Sequence, residues 1–380
     1  MPASPLHSLR DAGQSIWLDY IDRSLLASGE LARRMESDAL TGMTSNPTIF
    51  EKAMAEGTAY DEQLQSAAPG LTAWDLFELV ETTDVRLACD IFRPVYDATG
   101  GEDGYVSIEV SPSAANDGEA TVAEAHRLWQ MVDRPNVMIK VPGTDEGATA
   151  ARRLLADGIN VNITLLFAVE AYARIIEAYV TALEARVAMG QPIDRIASVA
   201  SFFVSRVDTE VDGRLETLMA SRGEHEAASL RSLVGRAAIA NAKLAYALFQ
   251  ERFRGPRWEA LAEKGARVQR PLWASTSTKN PAYRDVMYVE ELIGPHTVNT
   301  MPPATVVAFR DHGRVERTVD RDVDGARRHI ATLERQGISM RDVTDKLLVD
   351  GIASFQKSFE TLVARLETKT KELQKHGSRV

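Results

Sequence analysis

The sequence predicts a (β/α)8 barrel. Three observations point there. Eight short runs rich in β-branched or aromatic residues recur along the 380 residues, and segments with helical apolar spacing separate most of them. The polar residues within the runs gather towards their carboxyl ends, where such barrels carry their chemistry. The turn after the first run reads DYIDRSLL, without glycine. A doubly wound open sheet, the main alternative, usually offers a Gly-rich turn at that point.

The runs are SIWLDY (15–20), LTGMTSNPT (40–48), YVSIEVSP (105–112), NVMIKVPGT (136–144), GINVNIT (158–164), IASVASFFVSR (196–206), RPLWASTS (270–277) and HTVNTMP (296–302). Each is too short for a helix. Helical spacing follows the first run at 22–39, the third at 118–132, the fourth at 144–158, the fifth at 165–190 and the sixth at 230–253. Thr144 or Asp145 caps the start of the 144–158 segment and Gly158 its end. Two segments exceed a minimal barrel. Residues 51–103 hold two or three extra helices, and residues 321–380 are mostly helical, with an apolar side along 353–376. Both read as decorations on a single barrel domain spanning 1–380. The C-terminal one is expected to pack on the barrel as a solvated helix, with a lid or a partner helix as alternatives.

The composition, 44% hydrophobic and 26% charged, is that of a soluble globular chain. A net charge of −10 argues against a nucleic-acid or membrane-surface binder, while leaving room for a local basic pocket. The single cysteine, Cys89, rules out a disulfide framework and a thiolate zinc cluster. It sits in the helical pattern DVRLACDIFRPVY and reads as a small core residue. The seven histidines are scattered and form no H-E-x-x-H pattern, and no G-x-x-x-x-G-K-[ST] loop is present. The amino-terminal stretch has no apolar run of the signal-peptide kind. Nor does any stretch approach the roughly 18 apolar residues of a membrane span. A cytoplasmic location is the simplest expectation.

The chemistry-bearing residues lie near the strand ends. Asp19 closes the first run, and Thr44, Ser45 and Asn46 the second. Glu109 lies in the third, Lys140 in the fourth, and Asn162 and Thr164 in the fifth. Ser201 and Arg206 mark the sixth, Ser275 and Lys279 the seventh, and Asn299 and Thr300 the eighth. Lys140 is the most informative, because Val137, Met138, Ile139 and Val141 surround it with apolar side chains. It is a stray charge, a salt-bridge partner of Glu109 on the neighbouring strand, or a reactive amine. Burial favours the neutral, nucleophilic amine, which attacks a ketone to form a Schiff base. That reaction also needs acid–base partners, and Asp19 and Glu109 are two carboxylates able to divide the work. Arg206, Lys279 and Ser275 suit a phosphate. Plainer readings stand beside these: Asp19 as a helix cap, Asn162 and Thr164 as backbone partners, Arg206 as a surface charge on the helix starting near SRVDTEVDG.

The sequence resembles the transaldolase family. The matching strings are TSNPTIF (44–50), VSIEVSP (106–112), VMIKVPGT (137–144), GINVNITLLF (158–167), ASFFVSRVD (200–208), WASTSTKNPAY (273–283) and TVNTMP (297–302). They cover every strand after the first, in order, and the length and the STSTKN string are similar to the longer bacterial subfamily. The resemblance implies a (β/α)8 barrel with Lys140 as the Schiff-base residue. It implies Asp19 as acid and base at the cleaved bond, and Glu109 and Thr164 positioning a water. It implies Asn46 and Asn162 on the dihydroxyacetone unit, with Thr44 and Ser201 close by and Arg206 on the phosphate. The reaction implied moves that unit from sedoheptulose 7-phosphate or fructose 6-phosphate to erythrose 4-phosphate or glyceraldehyde 3-phosphate, with no cofactor, in a monomer or homodimer. The seventh strand departs from the family pattern: Thr276-Ser277-Thr278 separate Ala274-Ser275 from Lys279-Asn280. Ser275 and Lys279 therefore carry over less directly as phosphate ligands, with Ser277 or Thr278 as alternatives. A lysine-dependent aldolase that releases the unit without an acceptor, and a catalytically inert sugar-phosphate binder, are the rival readings.

Overall fold

The computed structural model describes residues 4–55, 58–68 and 70–377. Eight parallel strands close into a barrel in sequence order: β1 (Gln14–Asp19), β2 (Leu40–Thr44), β3 (Val106–Glu109), β4 (Val137–Pro142), β5 (Val161–Leu166), β6 (Ser198–Phe203), β7 (Arg270–Ala274) and β8 (Thr297–Met301). Every strand overlaps a run read from the sequence. β7 ends at Ala274, just before Ser275 takes a left-handed backbone (φ 56°) that turns the chain away.

The helices follow the expected spacing with three corrections. The 22–39 segment is two helices, Arg23–Ala27 and Glu30–Ser37, broken by Gly29 at φ 73°. The 230–253 segment is the tail of Glu224–Arg231 followed by Ala237–Arg252. The 165–190 helix begins only at Val169, because β5 continues through Leu166. The 144–158 helix is capped as expected: Thr144 accepts the Gly147 N–H, and Gly158 ends the helix in the left-handed region. Cys89 is buried within the Ala73–Ala98 helix.

Helices Pro47–Ala55, Asp61–Ser66 and Ala73–Ala98 lie between β2 and β3. The chain finishes with Val323–Arg335 and the long helix Met340–Gly377. This terminal helix is more than a solvated decoration. It runs across the carboxyl end of the barrel and packs on the 47–55, 73–98 and 205–220 helices and on β5. Lys346 pairs with Glu210 at 3.1 Å near its start. Ser358 bonds Thr48 at 2.8 Å in the middle, and Arg365 and Lys369 pair with Glu51 and Asp61 beyond it. Phe355 lies between these anchors and is buried.

Strand register sets what the barrel holds. Successive residues alternate faces, and the pairings Trp17↔Gly42, Asp19↔Thr44, Thr44↔Ser107, Glu109↔Lys140 and Lys140↔Asn162 carry one inward face from strand to strand. Trp17 fills the middle layer. Its indole lies against Gly42, where a Cβ would sit 2.5 Å from Nε1. Trp17 Nε1 donates to Asp103 at 2.8 Å, and Asp103 also accepts from Ser15 and pairs with Arg270 at 3.4 Å. These contacts fill the middle layer of the barrel, beneath the residues at its carboxyl end.

Gly42→Ala forces a methyl into the Trp17 ring. The expected result in urea denaturation is a loss of about 1–3 kcal/mol, and an unchanged midpoint would contradict this packing.

Candidate active site

A cleft of about 130 Å³ opens at the carboxyl end of the barrel. Nine of the eleven residues given a catalytic or binding role above line it: Asp19, Thr44, Asn46, Lys140, Thr164, Ser201, Arg206, Ser275 and Lys279. The other two stand directly behind. Glu109 accepts a hydrogen bond from Lys140 Nζ at 2.8 Å. Asn162 accepts from Ser201 Oγ at 2.7 Å and donates to Ser107 Oγ at 3.0 Å. Three of these residues come together by register alone, since Glu109, Lys140 and Asn162 are lateral neighbours on β3, β4 and β5.

Lys140 is 5% exposed. Its Nζ donates to Glu109 Oε2 and, at 2.9 Å, to the Ser45 carbonyl. The ring of Phe355, on the terminal helix, lies 6.0 Å from Nζ. Burial pushes the Glu109 carboxyl above the usual carboxylate range; Lys140 opposes that shift and Asp19 adds to it. Lys140 and Glu109 can thus exchange a proton across a direct bond.

Asp19 ends β1 and does not cap the following helix; Asp22 does, accepting the Leu25 N–H at 2.7 Å. The Asp19 carboxyl accepts from Thr44 Oγ1 at 2.8 Å, and Thr44 also bonds Thr300 at 2.6 Å. Burial raises its pKa, against the opposing pull of the Thr44 bond, Lys140 and Lys279. A carboxyl so placed gives and takes protons near neutral pH more readily than a solvated one. Thr164 Oγ1 is buried and has no hydrogen-bond partner among the described residues. Asn46 spends its Oδ1 on the Ile49 N–H, at 3.0 Å, at the start of the 47–55 helix.

The opposite wall is cationic. Arg206 lies in the first turn of the Ser205–Ala220 helix, beyond β6. It is no exposed surface charge: burial lowers its pKa, and its guanidinium stands 5.3 Å from the Phe203 ring centroid. No ion pair from a described residue neutralises it. Lys279 is near enough that burial and then the Arg206 charge lower its pKa, and its Nζ donates to Ser277 at 2.8 Å. Ser277 lines the cleft and Thr278 does not. Ser275 lines it too, with its hydroxyl engaged by Ser205 at 2.9 Å.

The helix bearing Arg206 is pinned to the loop bearing Lys279. Asp212 accepts from Tyr283 at 2.5 Å and from the Gly235 N–H at 2.9 Å. Asp208 accepts from Tyr288 at 2.8 Å and from the Ala238 N–H at 2.7 Å. Sequence reasoning missed Asp208 and Asp212, and also Phe203 and Phe355 in the cleft wall. Phe355 belongs to the apolar side of 353–376; that side was legible, whereas the cleft it covers was not.

The family model described as Transaldolase/Fructose-6-phosphate aldolase matches residues 16–366. The chain is 47% identical over 379 residues to Transaldolase 2 of Nostoc sp. (strain PCC 7120 / SAG 25.82 / UTEX 2576), covering 98% of this chain and 99% of that relative. It is 50% identical over 365 residues to a transaldolase of Thermobifida fusca, covering 96% and 97%. A transaldolase of Trichodesmium erythraeum is 46% identical over 377 residues, covering 98% and 99%.

Burial, with Asp212 beside it, raises the Asp208 pKa from 3.8 to about 6. A carboxyl raised in the fold contributes stability that is full below its unfolded pKa and is lost as pH rises through the folded value. Asp208→Asn keeps an acceptor for Ala238 and removes the titration. Relative to wild type, the variant is expected to gain about 2–3 kcal/mol between about pH 4 and pH 8. Urea titrations across that range check it, and parallel curves would contradict it.

Proposed function

The chain belongs to the transaldolase/fructose-6-phosphate aldolase family, its activity is that of a transaldolase, and we propose that Lys140 forms the Schiff base through which it works. The observation that carries this reading is a buried amine bonded to a carboxyl at 2.8 Å, at the floor of a cleft whose far wall is cationic. Lys140 passes its proton to Glu109 and attacks the C2 carbonyl of a ketose phosphate. Glu109 returns a proton to the carbinolamine hydroxyl, which leaves as water, and the unpartnered Thr164 hydroxyl is suited to hold that water. The resulting iminium draws electrons from the C3–C4 bond. Asp19 takes the proton of the C4 hydroxyl, the bond breaks, and an aldose phosphate departs. The three-carbon enamine stays on Lys140 until an acceptor aldehyde arrives and the steps reverse. The protonated imine is the electron sink, so no step calls on a metal or organic cofactor.

Donors are sedoheptulose 7-phosphate and fructose 6-phosphate; acceptors are erythrose 4-phosphate and glyceraldehyde 3-phosphate, as in the pentose phosphate pathway. Arg206 and Lys279, with Ser277 beside them, are the phosphate ligands, and Asn46, Asn162 and Ser201 hold the dihydroxyacetone hydroxyls. The activity is assigned to a monomer or a homodimer. No helix among the described residues is long and apolar enough to cross a membrane. A cytoplasmic setting follows from the substrates this reading assigns.

Borohydride reduction with fructose 6-phosphate, followed by peptide mass mapping, is expected to find a reduced three-carbon adduct on Lys140, absent in Lys140→Ala. Near-wild-type turnover by Lys140→Ala would overturn the scheme. Asp19→Ala is expected to lower kcat by about 10²–10⁴-fold while trapping persists. Loss of trapping in that variant would remove Asp19 from the bond-breaking step.

A further inference from the structure

A second cavity touches the Lys140–Glu109 pair, and no step above uses it. Its volume is about 10 Å³, room for roughly one water molecule. Four carboxyl side chains line it: Glu78 and Glu81 from the 73–98 helix, Glu109 from β3 and Glu124 from the 118–132 helix. Phe77 and Phe359 are among the apolar residues that close it.

Three of the four carboxyls have partners. Glu109 holds Lys140. Glu124 accepts from the Ser111 N–H at 2.9 Å and its hydroxyl at 2.8 Å. One oxygen of Glu78 binds the guanidinium of the exposed Arg127, while the other is buried without a partner among the described residues. Glu81, 3% exposed, receives no hydrogen bond from a described residue. Burial raises its pKa well above the carboxylate range, helped by Glu109, Glu124 and Glu78 and opposed by Lys140. An isolated ion among three other carboxyls is the least favourable charge in the group. Burial thus favours Glu81 in its protonated form, beside Glu109.

The Schiff-base scheme makes Glu109 change its protonation state while a sugar fills the cleft and Phe355 lies over Lys140. We propose that Glu81 is a positioning residue for the Glu109 proton, the two carboxyls sharing one proton across the small cavity, with the Glu78–Arg127 pair at its solvent end. The inference rests on the Schiff-base reading above. The balance is simple. Glu109 gives the proton it took from Lys140 to the carbinolamine hydroxyl; the C–O bond breaks, and water and the iminium form. The carboxylate left on Glu109 then shares the Glu81 proton through a water, so Glu81 loses no proton overall. In hydrolysis water adds to the iminium, its proton goes to Glu109, and the shared proton returns to Glu81.

The test follows adduct formation on Lys140 by rapid borohydride quench with fructose 6-phosphate, from about pH 5 to pH 9. Glu81→Gln keeps the shape and removes the acid. It is expected to slow imine formation about tenfold or more, with KM unchanged and the pH dependence flattened, while Glu81→Asp recovers part of both. A wild-type rate and pH profile in Glu81→Gln would overturn the inference. So would equal slowing in both variants with the wild-type pH profile, which marks a purely structural role. Where Glu81→Gln does not fold, Glu81→Asp carries the test: a slowed step with an altered pH profile supports the inference, and an unchanged step or an unchanged profile overturns it. Absence of any adduct on wild-type Lys140 would instead overturn the Schiff-base reading on which this one stands.

Discussion

The ion pair between Lys140 and Glu109 constrains everything around it. Two charges taken out of water cost several kcal/mol each, and their attraction restores that only with good geometry and further hydrogen bonds. The barrel supplies both: adjacent strands in fixed register set the 2.8 Å contact, and the Ser45 carbonyl takes another Nζ hydrogen. Little net stability remains in such a pair, so it is poor material for a scaffold. It is good material for chemistry, because a proton moved along that bond leaves a neutral amine and a neutral acid. The plainer reading of Glu109 and Lys140 as a structural pair describes the same atoms; the cleft in front of them separates the two.

The eight strands were legible because each run is short, β-branched or aromatic, and punctuated. Legibility failed where the decisive property is not local. Arg206 reads as the end of a strand or a surface charge, yet one turn of helix and the Phe203 ring bury it. Glu81, in the middle of a long helix, looks like any solvated glutamate; only the packing of the 118–132 helix and β3 turns its face inward. The break at Gly29 was written in the sequence, as a glycine at a position needing positive φ, but helical spacing on both sides hid it. The seventh-strand insertion could not be placed from spacing, since the left-handed Ser275 redirects the chain before Ser277 and Lys279.

The electrostatics of the cleft oppose those of the molecule. The chain carries a net charge of −10, and its carboxyls dominate the surface at long range. Within the mouth the sign reverses, with Arg206 and Lys279 on one wall and Lys140 at the floor. Salt screens the long-range repulsion over about 8–10 Å, whereas the half-buried cations are screened far less. A doubly charged phosphate therefore meets its attraction only at close quarters, where geometry selects it. The Asp208 and Asp212 network keeps that geometry by fastening the Arg206 helix to the Lys279 loop.

The helix across the barrel mouth has a consequence for biosynthesis. Every strand and every residue of the catalytic floor precedes Phe355 in the chain, and polypeptides emerge amino end first. A nascent barrel can close its eight-strand ring while its reactive amine is still uncovered, facing the metabolites of the surrounding solution. The apolar cover arrives afterwards, fastened by Lys346 on one rim and by Arg365 and Lys369 on the other. The order of the chain thus places the barrel ring before its cover.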